Sequence, residues 1–107
     1  MTSIEWSAAA LRDLESLYSY IARDSERYAD RFVGKLLDSI DKLASFPALG
    51  RHAEETDDES IRELIYRNYR IFYRPIRSGI EVLHVLHARR DIRTLLEDEA
   101  AEDEPGK

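Results

Sequence analysis

Arginine, tyrosine and histidine recur along two short runs of this 107-residue chain, Tyr69-Arg70-Ile71-Phe72-Tyr73-Arg74 and Val82-Leu83-His84-Val85-Leu86-His87-Ala88-Arg89-Arg90-Asp91. Guanidinium groups grip phosphates and carboxylates through a rigid fork of donors. Aromatic rings stack, and imidazole changes charge near neutrality. His87 is placed like a general base, at the end of its run beside Arg89 and Arg90, where neighbouring cations favour the neutral ring. Cleavage of RNA through its own 2′-hydroxyl needs a base, an acid and cations for the phosphate charge. His87 with Arg70, Arg74 and Arg51 could be assembled for that purpose, although no acid partner for His87 is evident. The plainer assignment is a histidine that packs or hydrogen-bonds at a strand end.

Both runs read as strands, joined at Arg77-Ser78-Gly79 into a hairpin. Alternation then sets Arg70, Phe72 and Arg74 on one face and Tyr69, Ile71 and Tyr73 on the other. Two arginines flanking an aromatic suit either a nucleic acid or the carboxylates of a partner protein. Otherwise they form an ordinary solvated face. His84 lies three positions before His87, so the same rule sets the two on opposite faces. His52 lies in a polar loop without metal-ligand spacing to either. There are no cysteines, no nucleophile motif, no paired carboxylates and no glycine-rich phosphate loop. Neither a metal nor a cofactor is expected.

The net charge of −6 conceals a segregated pattern. Glu54–Glu59 and the tail Glu97–Lys107 each carry −5, so the rest of the chain stands at +4. Ile61–Arg93 holds eight arginines against Glu63, Glu81 and Asp91. The acidic loop and the tail are expected to be solvated. A second reading is that they shield the basic face within a Debye length of about 8–10 Å. Residues 1–96 are expected to form one domain and 97–107 a disordered acidic tail. With 43% hydrophobic and 36% charged residues, no apolar run nears the roughly 20 residues of a membrane span. The N-terminus lacks the features of a secretion signal. A cytoplasmic location is expected.

The elements that must position these groups follow from periodicity and capping. Ile4-Glu5-Trp6 reads as a strand. Ser7 is an N-cap for a helix over Ala8–Arg23, with Leu11, Leu14, Tyr18 and Ile21 as its apolar stripe. Asp24-Ser25 starts a second helix over Glu26–Ser45, whose stripe is Ala29, Phe32, Val33, Leu36, Leu37, Ile40, Leu43 and Ala44. Phe46-Pro47 ends it. Strands follow over Ile61–Tyr66, Tyr69–Pro75 and Ile80–His87, an antiparallel meander. The last is apolar at nearly every position and so should be central or covered on both faces. The expected architecture is α+β in the order β-α-α-β-β-β, a helical hairpin packed on a small antiparallel sheet. Leu14, Phe32, Leu36, Ile40, Val82 and Val85 are its expected core.

These segments, taken together and in order, resemble the RelE/ParE superfamily of toxins from type II toxin–antitoxin systems. The resemblance spans about Ile4 to Asp91. It rests on Trp6-Ser7 with Asp13-Leu14, Tyr20-Ile21-Ala22, Phe46-Pro47-Ala48-Leu49-Gly50-Arg51, Arg62-Glu63-Leu64, Tyr69–Arg74 and His87–Asp91. The last two are most similar to the ParE branch. Ala8 departs from the proline frequent in the family after the first serine. The resemblance implies a toxin neutralised by a ParD-like antitoxin, as in plasmid stabilisation systems. For the ParE branch it implies DNA gyrase as target, bound without chemistry. For the RelE branch it implies a ribosome-dependent endoribonuclease acting on messenger RNA. Ribonuclease members carry lysines or arginines on the middle strands and a late tyrosine or histidine. This chain has no lysine between Lys42 and Lys107 and no tyrosine after Tyr73. The binding toxin is therefore the preferred expectation, with the ribonuclease or a non-toxic partner-binding relative as alternatives. Arg62, Arg70, Arg74, Arg89 and Arg90 are the expected partner-binding residues, and Arg51, Arg70, Arg74 and His87 the catalytic candidates under the ribonuclease alternative.

Overall fold

The computed structural model describes residues 2–89. Ser3–Trp6 forms β1, Ala8–Ala22 α1 and Glu26–Ser45 α2. A 3₁₀ turn at Pro47–Leu49 leads into β2 (Arg51–His52), followed by β3 (Arg62–Tyr66), β4 (Tyr69–Ile76) and β5 (Gly79–His87). The expected α+β order is present. One strand is added, β2, which at two residues is too short to leave a periodic signal. Arg90, Asp91 and the acidic tail lie outside the described residues.

Capping fixes both helix starts. The Ser7 hydroxyl accepts from the Ala10 N–H at 2.9 Å and donates to the Leu83 carbonyl at 2.8 Å, so the cap also pins α1 to β5. The Ser25 hydroxyl accepts from the Tyr28 N–H at 3.1 Å. Phe46, held ahead of Pro47 at φ −133° and ψ 72°, ends α2.

The sheet runs β1-β5-β4-β3-β2. β3, β4 and β5 form the antiparallel meander. β1 joins β5 in parallel, pairing Ser3 with Gly79 through Trp6 with Val82, so the sheet is mixed and not wholly antiparallel. The long connection that a parallel pair needs is supplied by the helical hairpin together with β2, β3 and β4. A Cβ at residue 79 would overlap the Ser3 carbonyl, so glycine is required for that close approach. β5 lies inside the sheet, between β1 and β4, as its apolar sequence predicts.

One face of the sheet meets the helices. Phe32, Leu36, Ile40 and Leu43 pack on Ile71, Tyr73, Ile80, Val82 and Val85, with Leu14 partly buried at the margin. The edges of Tyr66 and Tyr69 meet the Phe32 ring at centroid distances of 5.5 and 5.7 Å. In α1 the buried positions are Ala10 and Leu17, while Leu11 is 47% exposed. Of the stripe read in the sequence, Leu14 and Ile21 pack against the core, while Leu11 does not and Ala10 and Leu17 are buried in addition, so the helix is turned by less than one position. Ala10 is small enough to let the backbone approach the sheet, and Tyr18, on the flank, donates instead to Asp30 of α2 at 2.6 Å.

A second apolar cluster, absent from the expected core, lies on the opposite face. Ala53, Ile61, Phe72 and Leu86 come together there with Leu83. The loop between β2 and β3 supplies Ala53 and Ile61. A bulge in β5 makes this possible: Tyr73 pairs with Val82 and Phe72 with His84, so Leu83 is the extra residue. The helix-facing positions change parity there, from Ile80 and Val82 to Val85.

Candidate functional site

The arginine face of β4 is built as the alternation requires, but it is occupied by the chain's own carboxylates. Glu63, 3% exposed, takes Arg51 Nε on one oxygen at 3.2 Å and Arg70 Nε on the other at 2.8 Å. The two terminal nitrogens of Arg70 clasp the Glu55 carboxylate, Nη1 at 2.8 Å. The Arg70 guanidinium also lies over the Phe72 ring, 4.7 Å from its centroid. Glu55 above all, then Glu63, holds the Arg70 guanidinium protonated well beyond its already high range. Arg74 meets Glu81 at 3.1 Å and Asp58 at 3.9 Å. Hydrogen bonds from Ser60, and then the charge of Arg74, pull the Asp58 carboxyl below its usual range. Arg62 reaches the Gly50 carbonyl.

The acidic loop is therefore not merely solvated. It crosses the sheet face, contributes to the second apolar cluster, and returns carboxylates to Arg70 and Arg74. The loop carboxylates Glu55 and Asp58 meet the arginines by direct contact. Glu63 was open to sequence reasoning: across a two-residue turn it shares a face with Arg70, diagonally opposite. Glu55 carried no such signal, because it lies in a loop without period.

His87 lies elsewhere. Its ring meets the Tyr69 ring edge-on at 5.7 Å, on the helix side of the sheet. It borders a cleft of about 470 Å³ lined by Asp13, Ser16, Leu17, Tyr20, Asn68, Tyr69, Val85 and Leu86. His87 Nδ1 accepts from the Arg89 N–H at 3.3 Å, and Nε2 is 3.5 Å from the Asn68 amide nitrogen. Alternation separates His84 from His87, yet Asp13 links their surroundings. It holds His84 Nδ1 at 2.9 Å and accepts the Val85 N–H at 3.0 Å while lining the same cleft. Burial raises the Tyr69 hydroxyl above its usual range. Arg89 is exposed.

The four catalytic candidates are thus divided. Arg51 and Arg70 share Glu63 on one face, Arg74 stands next to them, and His87 is on the other. Among the described residues no group of three or more His, Cys, Asp or Glu is disposed to hold a metal ion. None of the described helices is long and apolar enough to cross a membrane.

A helical hairpin laid on a short mixed sheet is a fold that this chain shares with a known toxin–antitoxin protein. A solved structure titled as a chromosomal ParDE toxin–antitoxin system from P. aeruginosa superposes with a TM-score of 0.66, covering 83% of this chain and 98% of that one at 20% identity. Residues 4–92 match the family model for the ParE toxin of the type II toxin–antitoxin system parDE, and the chain belongs to that family. It is 37% identical over 89 residues to the protein named "Putative toxin Y4kP" of Sinorhizobium fredii (strain NBRC 101917 / NGR234), across 81% of this chain and 88% of the relative.

Proposed function

We propose that this ParE-type toxin acts by gripping DNA gyrase and halting replication, and that a ParD-like antitoxin neutralises it in the cytoplasm. Family membership supports the system. The division of the candidate residues supports a binding mechanism: the one base candidate, His87, faces away from Arg51, Arg70 and Arg74, which are already engaged by Glu63, Glu55, Glu81 and Asp58. A few arginines often dominate the energy of a protein interface. Arg89, exposed at the sheet end, is the described cation best placed to meet the target, and Arg90 follows it in sequence. Arg62, Arg70 and Arg74 serve the antitoxin interface, Arg74 directly because its side chain is 39% exposed, and Arg70 by holding the acidic loop.

The ribosome-dependent ribonuclease keeps one observation in its favour, the cleft that gathers His87, Asn68, Tyr69 and Tyr20. Inducing the chain alone in bacteria, while following DNA synthesis and messenger integrity in one culture, separates the two. Arrested DNA synthesis with intact messengers, and inhibition of purified gyrase, are expected. His87→Gln should retain toxicity, and Arg89→Glu with Arg90→Glu should abolish it. Site-specific messenger cleavage that falls about 10²–10⁴-fold in His87→Gln would overturn the gyrase reading.

A further inference from the structure

The loop between β2 and β3 is a built structure, although its sequence has no period. The Ala53 N–H closes it by donating to the Ile61 carbonyl at 3.0 Å, and both residues are buried in the second apolar cluster. Inside the loop, the Ile61 N–H donates to the Asp58 carbonyl at 3.1 Å and the Asp58 N–H to the Thr56 hydroxyl at 3.2 Å. One Asp58 oxygen accepts from the Ser60 N–H and hydroxyl at 2.9 and 2.6 Å, which leaves the other to face Arg74. A loop pinned at both ends and bonded within itself holds its carboxylates in place over the sheet.

The groups beneath it are of the kind that take phosphate. Glu63 holds one edge of the Arg70 guanidinium, Nε at 2.8 Å and a terminal nitrogen at 2.6 Å. The other edge carries Glu55 through both terminal nitrogens. Arginine offers this two-point grip to carboxylate and phosphate alike. Arg74 stands four residues further along β4, about 13 Å away at the rise of a strand, with Asp58 beside it. Arg51, Arg70 and Arg74, set against Glu63 and Glu81, have a balance of +1, and the loop's −5 turns it to −4. An uncovered arginine face binds nucleic acid of any sequence with a Kd of about 10⁻⁴–10⁻⁶ M at physiological salt. A protein bearing one is diverted to whatever nucleic acid surrounds it.

We propose that the acidic loop is a strap that sets specificity: Glu55 and Asp58 stand where phosphates would stand on Arg70 and Arg74, and so bar nucleic acid from the β4 face. The strap acts by exchange and by repulsion. A phosphate reaches Arg70 only by breaking the Glu55 clasp, and it then meets Glu54, Asp57 and Glu59 as like charges. The loop thus carries selectivity against a class of ligand that the arginines alone would accept. It covers the face opposite the His87 cleft, so the inference stands whether the toxin grips gyrase or cuts RNA.

The test uses the full chain and a labelled single-stranded DNA of mixed sequence, titrated at several salt concentrations. Glu54→Gln, Glu55→Gln, Asp57→Asn, Asp58→Asn and Glu59→Gln together keep the shape of the loop and remove its charge. Affinity should rise at least tenfold over wild type. The slope of log affinity against log salt should steepen by about 1.4, since each of two newly engaged phosphates contributes about 0.7 on a single strand. The milder pair Glu55→Gln with Asp58→Asn should gain at least threefold. A control removes the same charge from the helices, through Glu15→Gln, Asp24→Asn, Glu26→Gln, Asp38→Asn and Asp41→Asn, all at exposed positions, and should gain less than threefold. Arg74→Glu added to the loop-neutral chain should return affinity to within threefold of wild type. No gain in either loop variant, an equal gain in the helix control, or a gain that survives Arg74→Glu would overturn the proposal.

Discussion

Replacing Tyr73 with phenylalanine removes one oxygen atom and should unfasten the turn that shapes the β3 edge. The Tyr73 side chain is wholly buried. Its hydroxyl donates to the Pro47 carbonyl at 2.6 Å and accepts from the Gly50 N–H at 2.8 Å. Phenylalanine keeps the ring, so little cavity energy enters. What changes is that a buried N–H at Gly50 and a half-buried carbonyl at Pro47 lose their partner. An unsatisfied buried group costs about 1–3 kcal/mol, and water can relieve part of the carbonyl's loss, so the expected destabilisation is about 2–4 kcal/mol. In a domain of this size that lowers Tm by roughly 10–25 °C. A pH signature accompanies it. Burial raises the Tyr73 hydroxyl above its ordinary 10.0, with the Gly50 hydrogen bond and Arg62 pulling the other way. In the unfolded chain the phenol loses its proton near pH 10, while the folded protein retains it. The unfolded state then binds fewer protons, and stability falls as pH rises from about 10 through the folded pKa, by at most about 1.4 kcal/mol per pH unit. Below pH 10 this contribution is complete and flat. Tyr18, raised by its hydrogen bond to Asp30, and Tyr69, raised by burial, add slopes of the same sign. Urea unfolding from pH 7 to 11 should therefore show a lower midpoint for Tyr73→Phe at pH 7 and a shallower alkaline decline. An unchanged midpoint, or identical alkaline slopes, would refute the reasoning.

Phe32→Ala should cost about 3–5 kcal/mol, read by urea unfolding, because Phe32 is buried against Tyr66 and Tyr69 as well as the β-sheet core. Glu63→Ala should cost about 3–5 kcal/mol by leaving Arg51 and the inner donors of Arg70 without their carboxylate. Glu63→Gln, which still offers one acceptor oxygen, should cost less by the same measurement. Arg74→Glu leaves the Glu63 network intact and should weaken antitoxin binding at least tenfold in calorimetry. Unaltered affinity would remove Arg74 from that interface.

What could be read in the sequence was mostly local. Ser7, Ser25 and the Phe46-Pro47 stop act within a few residues of themselves, so capping rules locate them. The α2 stripe is long enough for its phase to be read well. The stripe of α1 was read correctly at Leu14 and Ile21 but missed Ala10, because alanine gives a weak hydropathic signal although here it is wholly buried against the core. The parallel pairing of β1 with β5 was missed because it joins residues about 76 positions apart. β2 was missed because a two-residue strand is fixed by its neighbour and not by its own composition. For the arginines, alternation gave the correct face of β4. It gave nothing about occupancy, since Glu55 reaches Arg70 from an aperiodic loop.

That occupancy alters how the basic face can bind. A partner carboxylate approaching Arg70 must displace Glu55 from a two-point clasp, exchanging one charge-assisted pair for another of the same kind. The Coulomb gain of the new pair is then offset by the loss of the old one, and little net affinity results. Arg74 is held less firmly: one of its carboxylates, Asp58, stands 3.9 Å away, and the side chain is 39% exposed. Arg67 and Arg89 have no carboxylate within ion-pair distance among the described residues. The arginine that holds the acidic loop most firmly, Arg70, is thus different from those most available to a partner, although Arg74 also touches the loop at Asp58. Substitutions at Arg70 should first be felt as stability, and those at Arg74, Arg67 or Arg89 as binding.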